Sequence, residues 1–373
     1  MEAIRTYPLE ENYLVHSARD NKLYILNETG YFLLMRMRAG ASAPEIAREA
    51  TEAYATSEET ARADIDRILE EWRRIGLMPG AQVPSRLEAK PGSIPPNRLD
   101  PVDVVRHYRL PGFRFSVRYR HGAMERLCHP RLSAMETGAS GRIDSELAIG
   151  SDGALWRVTV DGRETCATPC SNEAKVELMI AVLKGCHPKL EILALIHAAV
   201  VERNGKAVLL PAPSRHGKST LTSALVDAGY GFLSDDMAVL DLHTGRVFPF
   251  PLGLSLRAGS WPLVQGMFPE LGALPPVSPS DEALKVVVPQ GARVVCEPLP
   301  LAAVAFPVHG PERPSALRPL SMTELMVQLS AAGFWAPLHE DGAGRLLDLL
   351  RAPRRFRLEY SSLEAAVKLV GRI

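Results

Sequence analysis

The sequence predicts a mixed α/β (α+β) protein in which a small strand-plus-helix module precedes a larger domain built around a strand–loop–helix unit. Before residue 78, apolar residues first alternate as in strands and then recur at helical spacing. A Pro- and Gly-rich stretch follows, and further on a strand, a loop and a helix surround the letters GKST. Because 373 residues exceed one ordinary core, we expect about two or three domains.

The charges of the chain are balanced, because 43 Lys and Arg residues stand against 43 Asp and Glu residues. A neutral chain lacks the global positive field that attracts nucleic acid or an anionic membrane, so we expect neither partner. The first residues, MEAIRTYPLEENY, lack the basic start and apolar core of a signal peptide, and no apolar run is long enough to span a bilayer. We therefore expect a cytoplasmic protein.

The cysteines suggest neither a disulfide framework nor a metal site. There are five of them, an odd number spread through a long chain, which is typical of a reducing compartment. Cys166, Cys170, Cys186 and His187 carry metal-ligand atoms, but this spacing matches no strong zinc pattern. We predict no zinc site.

The first module begins with YLVHSARDNKLYILNETG, whose pattern predicts two short strands joined by the turn ARDNK. A helix over YFLLMRMRAG is expected to end at Gly40. Ser42 and Ser57 are predicted to cap the next two helices, SAPEIAREATEAY and SEETARADIDRILEEWRRIGL, and Gly76 is predicted to end the second of these.

The segment from Asn12 to Met78 resembles the PqqD family of peptide chaperones, which recognise leader peptides in peptide-modifying systems. The resemblance rests on LYILNETG, APEIAREATEAY and DIDRILEEWRRIGLM. It implies a winged-helix-like domain over residues 1–80, in which an extended peptide adds as a strand to the sheet edge and touches the last helix. A winged-helix-like domain with only a structural role stays open as the alternative.

The stretch PGAQVPSRLEAKPGSIPPNRLDP is rich in proline and glycine and has no periodic apolar face. Such a composition is typical of an extended linker, which we place at residues 81–104. Beyond it, FRFSVRYRHG alternates like a half-buried strand, and Asp161 and Gly162 mark a hairpin turn. We predict two helices over SNEAKVELMIAVLKGC and HPKLEILALIHAAVV, followed by a strand in GKAVLLPA.

The strand AVLLPA, the loop PSRHGKS and the helix TLTSALVDAG form the context that a phosphate-binding loop requires. Gly217, Lys218 and Ser219 supply a close backbone approach, a cation for the outer phosphates and a hydroxyl for Mg²⁺, and Thr220 adds a second hydroxyl. Ala212 stands where the usual pattern has its first glycine, so the loop is expected to begin with a different turn.

Two adjacent carboxylates, Asp235 and Asp236, interrupt the apolar strand GFLSDDMAVLD. A buried strand seldom carries charged residues without a reason. Carboxylates beside a phosphate-binding loop can hold Mg²⁺ and activate a hydroxyl group. The alternative from the residues alone is a simple acidic turn.

The segment IHAAVVERNGKAVLLPAPSRHGKSTLTSALVDAGYGFLSDD is similar to the core of the bacterial HPr kinase/phosphorylase family, and closer to its HPr-kinase-related branch found near peptide-modification genes. The similarity continues more weakly through RVFPFPLGLSLRAGSW and FRLEYSSLEAAVKLV and so covers residues 105–373. It implies a P-loop kinase domain of the phosphoenolpyruvate-carboxykinase-like type that uses ATP and Mg²⁺.

This resemblance implies catalytic roles for three residues. Asp235 would be the general base that accepts the proton of the acceptor hydroxyl, with His197 close to it, and Lys218 would bind the β and γ phosphates. Ser219 and Asp236 would hold Mg²⁺. The residues that it implies for nucleotide binding are Ala212, Pro213, Ser214, Arg215, His216, Gly217, Lys218, Ser219, Thr220 and Arg257.

The resemblance predicts an ATP- and Mg²⁺-dependent kinase of the serine type that acts on a peptide or small protein delivered by the first domain. The related kinases assemble as oligomers, so a homo-oligomer is an open expectation. The family often has glycine at the positions of Ala212 and Arg215, which puts backbone access to the phosphates in question. The alternatives are a nucleotide-binding scaffold or chaperone without phosphotransfer, and a kinase for a small metabolite.

Overall fold

A computed structural model describes residues 4–18, 21–78, 93–97, 100–110, 112–276, 283–287, 289, 291–336 and 342–373. The chain divides into two compact units. Unit 1 comprises Met1–Arg86, Ser321–Val327 and Pro337–Arg351, and unit 2 comprises Leu87–Leu320, Gln328–Ala336 and Ala352–Ile373. Among the described residues, none of the helices combines the length and hydropathy that crossing a membrane requires.

The N-terminal part of unit 1 is a three-stranded antiparallel sheet followed by three helices. Its elements are β1 (Ile4–Leu9), β2 (Asn12–Ser17), β3 (Lys22–Asn27), α1 (Glu28–Arg38), α2 (Ala43–Tyr54) and α3 (Glu58–Ile75). The strands lie in the order β1-β2-β3. The predicted strand pair and the three predicted helices are confirmed, whereas β1 was not predicted.

The helix ends follow the predicted capping chemistry. The Ser57 hydroxyl accepts a hydrogen bond from the Thr60 amide at 3.1 Å, which satisfies one of the first-turn N–H groups of α3. The Ser42 amide donates to the Glu45 carboxylate at 2.8 Å at the start of α2. Gly76 ends α3 at a φ of 88°, a left-handed conformation that glycine adopts without strain.

Two segments from late in the chain belong to unit 1. The Arg351 guanidinium donates to the carbonyl of Pro8 at 3.0 Å, and the Met322 amide donates to the Glu10 carboxylate at 3.1 Å. No sequence pattern predicted these contacts. The domain boundaries inferred from the sequence, 1–80 and 105–373, stay a prediction, and residues 81–92 and 98–99 of the expected linker lie outside the described residues.

The first part of unit 2 is a six-stranded sheet with two helices. Its elements are β4 (Pro101–Leu110), β5 (Phe113–His121), α4 (Gly122–Leu132), β6 (Glu136–Thr137), β7 (Ser145–Ser151), β8 (Trp156–Val160), β9 (Arg163–Thr168) and α5 (Ser171–Cys186). The strand order is β6-β4-β5-β7-β8-β9. The predicted strand, hairpin and amphipathic helix are confirmed as β5, β8–β9 and α5. The expected linker is too long at its end, because β4 pairs with β5 from Pro101 onward.

The elements around the candidate site are mostly short strands. They are β10 (Ile192–Ile196), β11 (Ala198–Arg203), β12 (Lys206–Pro211), α6 (Lys218–Asp227), β13 (Gly231–Ser234), β14 (Ala238–Asp241), β15 (Val247–Phe248), β16 (Leu254–Arg257), α7 (Trp261–Val264) and β17 (Leu284–Val287). The helix predicted over residues 187–201 is wrong, because this segment forms β10 and β11. A short run that is apolar on all sides has no period that distinguishes a buried strand from a buried helix.

The C-terminal elements contribute three strands to the main sheet of unit 2. They are β18 (Leu301–His309), β19 (Ala316–Pro319), α8 (Met322–Ala332), β20 (Phe334–Trp335), α9 (Gly342–Arg351), β21 (Arg354–Tyr360) and α10 (Leu363–Val370). Of these, α9 and the first part of α8 belong to unit 1. The sheet has the order β13-β11-β12-β18-β21-β19, and β12, β18 and β21 run parallel. A second sheet has the order β15-β14-β10-β20.

This arrangement positions the candidate site. The loop of residues 212–217 joins β12 to α6, and β13 lies in the same sheet two strands from β12. The loop before α6 and the Asp235–Asp236 pair after β13 are thus brought to one region. The helix packs its apolar side against β11 through a buried cluster that includes Val201, Leu221 and Leu225. The burial of these side chains fixes the start of α6 relative to the sheet.

The Ser57 cap allows a test of the N-terminal fold. Replacing Ser57 by Ala leaves an N–H group of α3 without its partner, so we expect the helix to lose about 1 kcal/mol of stability. By hydrogen exchange and mass spectrometry of the full chain, amides of α3 that exchange by local opening should exchange about fivefold faster.

The control for this variant is Ser57→Asp, whose carboxylate can accept the same hydrogen bond and should keep exchange close to that of the unchanged protein. Equal exchange rates in all three proteins would contradict the assigned role of Ser57.

Candidate active site

The loop of residues 212–217 connects β12 to α6. Ala212 is 2% exposed and does not have a positive φ; the left-handed residues of the loop are Arg215, with a φ of 73°, and Gly217, with a φ of 75°. A non-glycine residue in this region costs on the order of 1 kcal/mol. Backbone strain is therefore expected at Arg215 and not at Ala212. The side chains of Ser214, Arg215 and His216 are exposed.

The N-terminus of α6 begins at Lys218, directly after Gly217. The first-turn N–H groups of a helix have no partners within the helix, and together with the helix dipole they form a site suited to phosphate. The Thr220 hydroxyl donates to the Ser260 hydroxyl at 2.9 Å and so ties the first turn of α6 to the segment after β16.

The ammonium group of Lys218 is the centre of the site, and the side chain is almost fully buried. Its Nζ donates to the carbonyl of Asp235 at 2.9 Å and to Oδ1 of Asp236 at 2.9 Å, and it lies 3.1 Å from Nε2 of His197. These three contacts offset the cost of removing an ammonium group from water. The structure thus brings together Lys218 and the predicted residues His197, Asp235 and Asp236.

His197 lies between β10 and β11 and is held by the end of α8. Its Nδ1 lies 3.0 Å from the carbonyl of Ala332, and its backbone N–H donates to the carbonyl of Gly333 at 2.8 Å. A carbonyl oxygen can only accept, so Nδ1 carries the proton in this contact, and Nε2 is left as the acceptor for Lys218. The tautomer of His197 is therefore determined by its two neighbours.

Asp235 is 1% exposed, and its two carboxylate oxygens differ in their surroundings. Oδ2 accepts hydrogen bonds from the Ser219 hydroxyl and the Ser255 amide, both at 2.9 Å. Oδ1 is buried without a hydrogen-bond partner. Burial, followed by the negative charge of Asp236, raises the pKa of Asp235 to about 6.

Asp236 has a more open environment, with 42% of its side chain exposed. Desolvation by the surrounding protein would raise the pKa of Asp236, but Lys218, the adjacent His197 and the charge of Arg131 outweigh it and hold that pKa well below its usual value. Asp236 is therefore the more acidic member of the pair, and Asp235 binds a proton more readily.

The oxygen atoms of Ser219, Asp235 and Asp236 form a hard donor set next to α6. Hard oxygen donors suit Mg²⁺, which usually takes one or two protein ligands and completes its shell with water and substrate phosphates. The described residues contain no group of three or more His, Cys, Asp and Glu side chains that could hold a metal by itself. The hydroxyl of Ser219 and the partly exposed carboxylate of Asp236 fit a cation that a bound phosphate helps to hold.

Arg257, the remaining predicted residue, lies at the end of β16, two positions after Ser255. Alternate residues of a strand project to the same face, so Arg257 and Ser255 share a face of β16. The Ser255 amide, which contacts Asp235, was missed by the sequence analysis, as were Gly333 and Arg131. Of these three residues, only Ser255 could have been found from the sequence, because it lies in the LSLRAGS segment that pointed to Arg257.

Comparisons with known proteins find one family match near the N-terminus and several similar solved structures. Residues 12–78 match the family model described as "Coenzyme PQQ synthesis protein D (PqqD)", which confirms the predicted resemblance there. No curated protein sequence matches the chain.

Two similar solved structures are described as "TbiB1 in Complex with the TbiA(beta) Leader Peptide" and "Structure of the Hpr(Ser) kinase/phosphatase from Coxiella burnetii". The first has 15% identity and a TM-score of 0.20, and the match covers 21% of this chain and 93% of that one. The second has 13% identity and a TM-score of 0.26, and the match covers 48% of this chain and 94% of that one.

The contact between Gly333 and His197 can be tested by substitution. Gly333 has a φ of 110°, and a Cβ at this position would lie 3.3 Å from Cβ of His197. We expect Gly333→Ala to destabilise the protein by roughly 1–2 kcal/mol and to shift the imidazole nitrogen signals of His197 in long-range ¹H–¹⁵N NMR spectra.

The matched control is Gly162→Ala, because Gly162 has a φ of 77° and open space around it. This variant should lose stability through the same backbone strain while leaving the His197 signals in place. Unchanged His197 signals in Gly333→Ala would show that Gly333 does not position the ring.

Proposed function

We propose that the chain is an ATP- and Mg²⁺-dependent kinase that phosphorylates a hydroxyl group, a serine of a peptide or small protein. The observation that carries this proposal is the buried, unpartnered Oδ1 of Asp235, a residue whose backbone carbonyl binds the Lys218 ammonium and whose Oδ2 binds Ser219 in the first turn of α6. A carboxylate oxygen without a partner costs about 1–3 kcal/mol in stability, a cost that a proton acceptor in an active site explains.

The nucleotide would be held by the loop before α6 and by the first turn of that helix. The N–H groups there and Lys218 would bind the phosphates, as the strand–loop–helix order and the left-handed Gly217 support. Ser219 and Asp236 would hold Mg²⁺, which when bound neutralises charge on the phosphate oxygens. The exposed guanidinium of Arg215 adds positive charge next to these positions.

In the proposed transfer, the acceptor hydroxyl oxygen forms a bond to the γ-phosphorus atom. The bond between that atom and the β–γ bridging oxygen breaks, and its electron pair leaves with ADP. The hydroxyl proton passes to Oδ1 of Asp235, while the Ser219 hydroxyl and the Ser255 amide hold Oδ2 and so orient the carboxylate. His197 orients Lys218 through Nε2.

The acceptor would be delivered by the N-terminal residues that match the PqqD family. An edge strand offers unpaired N–H and C=O groups to an extended peptide. Of the two edges, β1 is contacted by Arg351 of α9, whereas β3 pairs among the described strands only with β2. We place the peptide on β3, next to α3, whose Ile75 carbonyl accepts a hydrogen bond from Tyr24. A tethered peptide would reach the kinase site at a high effective concentration.

The role of Asp235 is tested by Asp235→Asn, which keeps the shape of the side chain and removes the base. We expect phosphotransfer to fall about 10²- to 10⁴-fold while binding of a fluorescent ATP analogue is retained. The assay is incubation with labelled ATP, Mg²⁺ and peptides encoded near the gene, followed by mass measurement of the acceptor.

Asp227→Asn is the control for this variant, because Asp227 is exposed at the end of α6 and should have no effect. Full transfer by Asp235→Asn would remove Asp235 from the mechanism. Nucleotide binding without transfer to any peptide in the unchanged protein would instead favour a nucleotide-binding scaffold.

The role of Lys218 is tested by binding alone. Lys218→Ala removes a charge-assisted hydrogen bond to phosphate, which is worth about 1.5–3 kcal/mol, so we expect affinity for ATP to fall roughly 10- to 100-fold. Calorimetric titration with ATP and Mg²⁺ measures this, with Lys206→Ala at an exposed position of β12 as the control. Equal affinities in the two variants would rule out phosphate binding at the start of α6.

A further inference from the structure

Arg131, near the end of α4, carries a guanidinium group that approaches the candidate site without entering an ion pair. It is 7% exposed, donates to the carbonyl of Leu127 at 2.6 Å and donates to the Ser255 hydroxyl at 3.2 Å. The Ser255 amide in turn contacts Oδ2 of Asp235. The guanidinium is therefore connected to the proposed base through one residue, and it lies near enough to lower the pKa of Asp236.

Lys175 brings a second cation to the same region. It is partly buried on α5, a helix that packs against α4, and its charge interacts with those of Arg131 and Asp236. Within the described part of the chain, no hydrogen bond or ion pair is found for its ammonium group. Burial, followed by the charge of Arg131, lowers the pKa of Lys175 to about 8.

The cations around Asp235 and Asp236 differ in whether they form a direct ion pair. Lys218 is directly paired with Asp236, and Oδ2 of Asp235 is satisfied by two hydrogen bonds. Among the described residues, Arg131 and Lys175 have no carboxylate within ion-pair distance. The negative charge that acts on both, Asp236, is already paired with Lys218. Two neighbouring cations that are withdrawn from water without a direct ion pair are costly, and a bound anion would offset that cost.

We propose that Arg131 and Lys175 form an oxyanion subsite of the active site, which binds either the phosphoryl group in transfer or an anionic group of the acceptor. The subsite rests on the proposed kinase function and adds to it that positive charge on Arg131 and Lys175 is needed to bind the anion. Arg131 would present a planar guanidinium to two oxygens, and Lys175 would add a point charge. Arg131 and Lys175 lie on α4 and α5, so the subsite adds residues to those predicted from the loop before α6.

The subsite is tested with inorganic phosphate as the probe. The full-length protein is saturated with ADP and Mg²⁺, so that the loop before α6 is filled, and phosphate is titrated by calorimetry. We expect phosphate to bind, and Lys175→Gln to weaken this binding at least about tenfold. Lys184→Gln, an exposed position in the last turn of the same helix, should bind phosphate like the unchanged protein.

A repeat with a non-hydrolysable ATP analogue distinguishes the two sources of the anion. If the subsite holds the γ-phosphoryl group, the analogue blocks phosphate, and Lys175→Gln weakens the analogue but not ADP. If it holds an acceptor group, phosphate still binds beside the analogue, and Lys175→Gln weakens phosphate alone. Either pattern supports the subsite, and equal phosphate affinity in the unchanged protein, Lys175→Gln and Lys184→Gln overturns it.

Two further measurements keep this outcome separate from folding and from the kinase proposal. Lys175→Arg preserves the charge and should recover most of the phosphate affinity, whereas loss in both variants with unchanged circular dichroism would contradict a charge effect. If the unchanged protein binds neither nucleotide, the kinase proposal fails, and the same phosphate titrations on the nucleotide-free proteins still decide the subsite by the effect of Lys175→Gln.

Discussion

The buried ammonium group of Lys218 is the interaction on which the candidate site depends. It joins α6 to two other parts of the fold: the turn after β13, through the carbonyl of Asp235 and the carboxylate of Asp236, and the ring of His197 between β10 and β11. None of these partners lies on α6, the helix that carries Lys218. A buried cation requires its partners, so the position of Lys218 depends on both of these segments.

Much of the N-terminal fold and of the candidate site could be predicted from the sequence because their signals are local. Caps such as Ser57, the glycine before Lys218 and the adjacent acidic pair each depend on a few neighbouring residues. The support of His197 by Ala332 and Gly333 could not be predicted, because the contact joins residues 135 positions apart. The two strands on either side of His197 were taken for a helix for a similar reason: only the sheet partners of β10 and β11 decide their conformation.

The loop before α6 has few glycines, yet it keeps the left-handed backbone conformation of its last residue. Gly217 retains the left-handed conformation directly before Lys218, and Ala212 is buried at the end of β12 with an ordinary φ. The missing first glycine therefore has no visible cost at Ala212. Backbone strain appears instead at Arg215, an exposed non-glycine residue with a left-handed backbone conformation. Such strain is retained where the side chain or the turn that it creates has a use.

The two adjacent carboxylates differ because successive residues leaving β13 project in different directions. Asp235 enters the interior and is held by Ser219 and Ser255, whereas Asp236 stays partly exposed and pairs with Lys218. One sequence doublet thus yields a carboxylate with a raised pKa and another with a lowered pKa. Different environments for two like groups allow different chemical roles. The difference originates in the end of one strand, where Asp235 loses more from burial and Asp236 gains more from Lys218 and Arg131.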